Sequence, residues 1–157
     1  MLGGFHATVV GGKKILDEWH NLFDYVIEGE GEYSFPALVK SIENKEGLES
    51  ISGLSWIDNN GLNRNAKQLI GNLDQILFPK RELLKHPVNY SLHNYGLDVT
   101  IVTSRGCSHT CSFCSIASFY DRKWRFRSVE NILHEVEGLI ELYGDRFFCI
   151  LWMIFFL

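Results

Sequence analysis

An α/β architecture is expected for this 157-residue chain, because strand-like and helix-like patterns alternate along it. In the second half a β-branched run, Asp98-Val99-Thr100-Ile101-Val102-Thr103-Ser104, stops at Arg105-Gly106. A helical apolar stripe follows from Ser128 to Tyr143, and another apolar run begins at Phe147. Strand, loop, helix and strand in that order are the pattern of a parallel β/α unit, since the helix must carry the chain back along the sheet. In the first half a glycine-punctuated segment, a helix and a hairpin signal point to a second α/β part. These signals divide the chain into residues 1–70, a connector at 71–97, and residues 98–157.

The first part opens with Gly3-Gly4-Phe5-His6-Ala7-Thr8 and continues to Phe23-Asp24-Tyr25-Val26-Ile27-Glu28-Gly29-Glu30-Gly31-Glu32. Glycines at strand ends let the backbone approach a bulky ligand closely. Each motif alone has a plainer reading, the first as a simple turn and the second as a solvated loop opening a helix from Tyr33 to Ile42. Gly53-Leu54-Ser55-Trp56-Ile57 and Leu62-Asn63-Arg64-Asn65 flank the turn signal Asp58-Asn59-Asn60-Gly61, which predicts a β-hairpin. Along Leu73 to Leu84, Pro79 stops extension and a short helix should follow.

In the second part, Arg105-Gly106 gives backbone freedom at the end of the strand, where the chain must turn into a loop. The later helix has Ser128 as N-cap and Glu130 near its positive N-terminus. Its stripe is Val129, Ile132, Leu133, Val136, Leu139, Ile140 and Tyr143, and Gly144 closes it. Phe147 to Leu157 reads as a buried strand, too short for a membrane-spanning helix, which needs about 20 residues. Met1-Leu2-Gly3-Gly4 lacks the basic and apolar regions of a signal peptide, so the chain is expected in the cytoplasm, where thiols stay reduced.

Net charge −4 and pI ≈ 5.8 argue against a nucleic-acid-binding protein. The run Tyr120-Asp121-Arg122-Lys123-Trp124-Arg125-Phe126-Arg127 interleaves cations with aromatics in a way that suits phosphates. It is read here as a solvated connector into the next helix.

The most chemically informative residues are Cys107, Cys111 and Cys114, in Cys107-Ser108-His109-Thr110-Cys111-Ser112-Phe113-Cys114. Three thiolates on one short loop can hold three irons of a four-iron cluster and leave the fourth iron to a non-protein ligand. Electron-transfer ferredoxins close their clusters with a fourth cysteine, and structural zinc sites use four Cys or His ligands. The remaining cysteine, Cys149, lies in the apolar run and reads as an inert buried thiol. A structural zinc site stays open as an alternative, and His109 reads as a histidine that is solvated or bonded to a ligand, with a ligand role of its own as the alternative. A secreted disulfide scaffold does not fit three crowded cysteines.

The spacing Cys-x-x-x-Cys-x-aromatic-Cys resembles the signature of the radical S-adenosylmethionine (SAM) enzymes. The resemblance implies a [4Fe-4S] cluster on Cys107, Cys111 and Cys114, with SAM on the unique iron and Phe113 near the adenine. It implies reductive cleavage of SAM to a 5'-deoxyadenosyl radical, with flavodoxin or ferredoxin as electron donor and no membrane partner. Where such proteins often have Pro after the first cysteine, this chain has Ser108.

The first part, in that order before the cysteines, is similar to the end of the Rossmann-like cobalamin (B12)-binding domain found in one subgroup of that superfamily. The resemblance implies cofactor contacts from Gly3, Gly4, His6, Gly29, Glu30, Gly31 and Glu32. The Asp-x-His-x-x-Gly segment that supplies a cobalt ligand in some relatives is absent, so His6 is not given that role. On this resemblance the fold expected is the end of a Rossmann-like domain followed by the first β/α unit or units of a partial TIM-type barrel. No Gly-Gly-Glu-type segment follows the cysteines, and a truncated chain with little turnover of its own is expected, with an aberrant apolar end and weak cobalamin binding. The competing reading is an inactive remnant or a cluster-binding module without catalysis.

Overall fold

The computed structural model describes residues 1–83, 99–143 and 148–151. They form an α/β protein whose backbone falls into two units, Met1–Ile70 with His109–Arg122, and Gly71–Ser108 with Lys123–Leu157.

In the first unit Leu2 pairs in parallel with Val26, its N–H donating to the Tyr25 carbonyl and its carbonyl accepting from Ile27, both at 2.9 Å. Two helices, α1 (Phe5–Val10) and α2 (Gly12–Trp19), carry the chain from Leu2 back to β1 (Tyr25–Ile27). Helix α3 (Gly31–Asn44) follows, then β2 (Leu54–Asp58) and β3 (Gly61–Arg64), giving an antiparallel order β1-β2-β3. The period of two in a strand explains the layers. Val26 faces one side, where it is buried with Ala7, Ile15 and Leu16; Ile27 faces the other, buried with Leu38, Leu54 and Trp56. The sheet is therefore covered on both faces, by α1 and α2 on one and by α3 on the other.

The expected hairpin is present, with Asp58 opposite Gly61 and the Asp58 carboxylate accepting from the Asn60 N–H at 2.7 Å. The expected helix from Tyr33 to Ile42 lies inside α3. That helix ends with Lys45 in the left-handed conformation (φ 57°), its N–H donating to Ile42 while Glu46 N–H donates to Ser41. The paired bonds are the Schellman arrangement that usually selects glycine. Helix α4 (Ser115–Phe119) belongs to this unit and lies on α1, where Phe119 and Phe5 stack at 5.0 Å between ring centroids. Lys67 fastens the end of α4, donating to the Phe119 carbonyl at 2.7 Å and pairing with Asp121 at 2.9 Å.

In the second unit a 3₁₀ turn lies at Leu73–Gln75, and another at Arg81–Leu83 follows Pro79 where a short helix was expected. Strand β4 (Val99–Val102) pairs in parallel with β7 (Phe148–Leu151), and α5 (Val129–Tyr143) is the crossover between them. Short strands β5 (Ser104–Arg105) and β6 (Arg125–Phe126) pair antiparallel. Ser128 caps α5 as expected, its hydroxyl accepting from the Asn131 N–H at 3.1 Å. Asp74 adds a carboxylate at the same helix end, accepting from the Ser128 N–H at 2.9 Å. Leu139 packs on Ile101 with Val136 and Tyr143 beside them.

Two expectations need correction here. The apolar stripe of α5 is not all core: Leu139, Val136 and Tyr143 pack with Ile101, whereas Val129, Leu133 and Ile140 are exposed among the described residues. The cationic run is not a solvated connector throughout, because its side chain at Arg127 is 11% exposed and bonded to Glu135. The expected helix stop at Gly144, the run 152–157, the connector beyond residue 83 and the side chain of Cys149 lie outside the described residues.

Candidate cofactor sites

Gly3, Gly4, Gly29, Gly31 and Glu32 line one open cleft of about 360 Å³ with Met1, Ile27 and Phe35. The backbone explains why glycines stand there. Gly4 (φ 89°) and Gly29 (φ 87°) both sit in the region that L side chains rarely adopt. Gly3 follows the pairing residue Leu2, and Gly29 stands just beyond β1, so the cleft lies where two parallel segments end. The Thr8 hydroxyl joins the two glycine segments, donating to the Gly4 carbonyl at 3.0 Å and accepting from the Gly29 N–H at 2.7 Å.

The other two residues named from the sequence, His6 and Glu30, do not line this cleft. His6 is exposed on α1 and is not among the residues of the cleft. Glu30 is 8% exposed and its carboxylate accepts from the Ile70 N–H at 2.7 Å, which closes the first unit. Sequence reasoning missed Glu28, which is 4% exposed. Its carboxylate accepts from the Gly12 N–H at 2.9 Å and from Arg64 at 3.0 and 2.8 Å. The same motif supplied a signal, because Glu28 is the acidic residue that follows a strand whose two preceding residues are buried.

In the second unit β5 ends at Arg105, Gly106 turns with φ 95°, and Cys107 follows, half-buried. In the first unit the Cys114 N–H donates to the Cys111 carbonyl at 3.1 Å, a tight turn that leads directly into α4. Cys111 is exposed and Cys114 half-buried, and all three are free thiols. Phe113 is 91% exposed, and His109 is exposed too. Among the described residues no group of three or more His, Cys, Asp or Glu side chains is gathered around a common point at metal-binding distance. As a donor set the three thiols fit an iron-sulfur cluster, since soft thiolate ligands select such clusters and none of these sulfurs is consumed in a disulfide.

No family model matches the chain. It is 34% identical over 140 residues to the hopanoid C-3 methylase of Methylococcus capsulatus, covering 89% of this chain and 26% of that protein. It is 37% identical over 148 residues to an uncharacterized methyltransferase of Pyrococcus horikoshii, covering 93% of this chain and 31% of the relative. In structure it resembles the radical SAM methyltransferase TsrM of Kitasatospora setae, solved with cobalamin and a [4Fe-4S] cluster bound. That match has a TM-score of 0.63 and 18% identity, and it covers 97% of this chain and 30% of the other. The chain thus spans about a quarter to a third of the length of these relatives. The relatives matched in sequence carry the names of methylases, methyltransferases and cyclases. The solved structures of similar fold, TsrM and OxsB, are radical SAM enzymes that include cobalamin-bound forms, which agrees with the resemblance to the radical SAM subgroup that carries a B12-binding domain. Among the described residues no helix is long and apolar enough to cross a membrane.

Proposed function

We propose that Cys107, Cys111 and Cys114 ligate three irons of a [4Fe-4S] cluster whose fourth iron takes SAM, in a cytoplasmic protein of the radical SAM type. The observation that carries this reading is the spacing of three free thiols on the loop that follows a β/α strand, in a chain aligned over most of its length with a methylase. When bound, the cluster would supply an electron for reductive cleavage of SAM, with a flavodoxin or ferredoxin as the electron donor. The chain's own residues bind and orient. The thiolates hold the irons, Gly106 lets the backbone turn into the loop, and the exposed ring of Phe113 offers an apolar face to the adenine. The names of the relatives leave methyl transfer, ring closure and methylthio transfer as the reaction classes open to it.

The glycine cleft is proposed as the part of a cobalamin site that this chain contributes, with residues 1–70 as the end of a Rossmann-like domain and 98–157 as the start of a partial barrel joined to it by 71–97. Cβ-free backbone around the cleft and the two positive-φ glycines support a bulky ligand there.

The test is anaerobic reconstitution of the chain with iron and sulfide. Four irons and four sulfides per chain are expected on the reading of one cluster, with an electron paramagnetic resonance spectrum of the reduced protein that changes on adding SAM. Zinc in place of iron would turn the assignment toward a structural metal site, and a cluster spectrum that ignores saturating SAM would make the chain a cluster-binding remnant.

A further inference from the structure

Glu135 is the most enclosed charge among the described residues of the second unit, 4% exposed on the inner side of α5. Two arginines converge on its carboxylate. Arg81 from the connector donates at 3.0 Å, and Arg127 from the segment before α5 donates to the other oxygen at 2.5 Å; their side chains are 15% and 11% exposed. Each arginine also holds β4. Arg81 donates to the Thr100 carbonyl at 2.7 Å and Arg127 to the Val102 carbonyl at 3.1 Å.

Thr100 and Val102 are two residues apart, so their carbonyls leave the strand on the same edge. Among the described residues β7 is the only strand paired with β4. The two guanidinium groups supply donors at the two-residue repeat that a pairing strand would use. The fastening continues toward the loop. The Arg127 N–H donates to the Thr103 carbonyl at 2.9 Å, and Ser104 and Arg105 pair with Phe126 and Arg125. Arg127 is itself fixed by Asn131, whose side-chain oxygen accepts from its Nε at 2.6 Å, and by Phe78, whose ring lies 5.3 Å from the guanidinium. Gly106 and Cys107 come next, free of that fastening.

We infer that Glu135, joined to Arg81 and Arg127, is a positioning residue: it keeps two cations together on one edge of β4 and so fixes the strand end from which Cys107 departs. Without the carboxylate two poorly solvated guanidinium groups would face each other, and like charges at short range in a low-dielectric setting separate. Their departure would release the Thr100 and Val102 carbonyls and loosen the approach to the first thiol. The consequence for metal loading rests on the cluster assignment proposed above; the consequence for the strand does not.

The experiment compares Glu135→Gln with Ser128→Ala in the full chain. Glutamine keeps the shape and loses the charge, whereas loss of the Ser128 cap weakens the same helix without touching β4. Native-state amide hydrogen exchange of residues 103–107 is measured on the metal-free protein, and cluster loss to an iron chelator on the reconstituted protein. Glu135→Gln should speed exchange at 103–107 well beyond Ser128→Ala. It should also speed cluster loss by about 10–100-fold, the range seen when groups that orient metal ligands are removed. Equal exchange in the two variants would overturn the positioning role. Wild-type chain that takes up no iron would instead overturn the cluster assignment and leave the exchange comparison to decide the role of Glu135. If Glu135→Gln fails to fold, Arg127→Lys is read by the same criteria, because lysine keeps the charge but cannot reach Val102 and Glu135 with one planar fork.

Discussion

Gly53 offers a direct test of how the first unit holds the segment from Glu28 to Glu32. It has φ 69°, its carbonyl accepts from the Glu28 N–H at 2.8 Å, and its own N–H donates to Ala66 at 3.2 Å. A Cβ added there would lie 2.1 Å from the Glu28 carbonyl oxygen and 3.1 Å from its carbon. Backbone, unlike a side-chain tip, cannot swing aside, and ordinary contact begins near ~3.5 Å. For Gly53→Ala the left-handed conformation costs about 1–2 kcal/mol. Relieving the overlap costs about 1–3 kcal/mol, and the Glu28 hydrogen bond that must lengthen contributes about 1 kcal/mol. A loss of about 3–6 kcal/mol is therefore expected, a large part of the stability of a small domain. Gly31→Ala is the contrast: Gly31 lies at the first turn of α3, its φ is ordinary, and nothing lies within 4 Å of the added carbon. It should be neutral or stabilising by up to about 1 kcal/mol. Urea unfolding followed by far-ultraviolet circular dichroism measures both. A Gly53→Ala chain within about 1 kcal/mol of wild type would refute the claim that backbone contact fixes this loop.

Replacing Cys107, Cys111 or Cys114 with Ala should each abolish the visible absorbance of the reconstituted chain, while Cys149→Ala should keep it; equal loss with Cys149→Ala would overturn the three-ligand assignment. Lys45→Gly should raise stability by about 0.5–1 kcal/mol in urea melts, because the αL strain it removes exceeds the entropy glycine adds to the unfolded chain. Glu28→Ala should cost about 1–3 kcal/mol, mainly through the unpaired Gly12 N–H; Arg64, 55% exposed, can turn to water, so the ion pair itself adds little.

The sequence made local features legible and hid those that depend on distant partners. The hairpin was readable because its turn residues, Asp58 to Gly61, are adjacent, and α3 and α5 because their periodicity and caps lie within a few residues. Helices α1 and α2 were not expected, since both are short, meet at Gly11 and start without a side-chain cap. The β1–β2 pairing was hidden because it joins residues on either side of α3, and β5–β6 because a two-residue strand has no periodicity to read. Gly3, Gly4, Gly29, Gly31 and Glu32, which the family resemblance singles out, line one cleft, and whether that cleft takes a cofactor rests on the proposal above. Glu30 was named with them, but its side chain turns to Ile70, because successive residues leaving a strand end do not share one direction.

Both units contain the same unforeseen feature, a buried glutamate bonded to an arginine far along the chain. Glu28 and Arg64 are 36 residues apart, and Glu135 and Arg81 are 54. Neither pair could be found by scanning for neighbouring charges. The positions of the glutamates did carry a trace. Glu28 follows Val26 and Ile27, both buried, and Glu135 falls three residues after Ile132 and four before Leu139, on the apolar face of α5. A carboxylate at a position where periodicity requires an apolar side chain must find a partner or destabilise the fold. Each of these two stands beside a segment to which a cofactor is assigned only by proposal, Glu28 before the glycine cleft and Glu135 behind the strand that leads to Cys107. A leucine at either position would fill the space, but it would fasten no guanidinium or N–H in place, and the backbone next to the site would lose a directional hold that apolar packing does not supply.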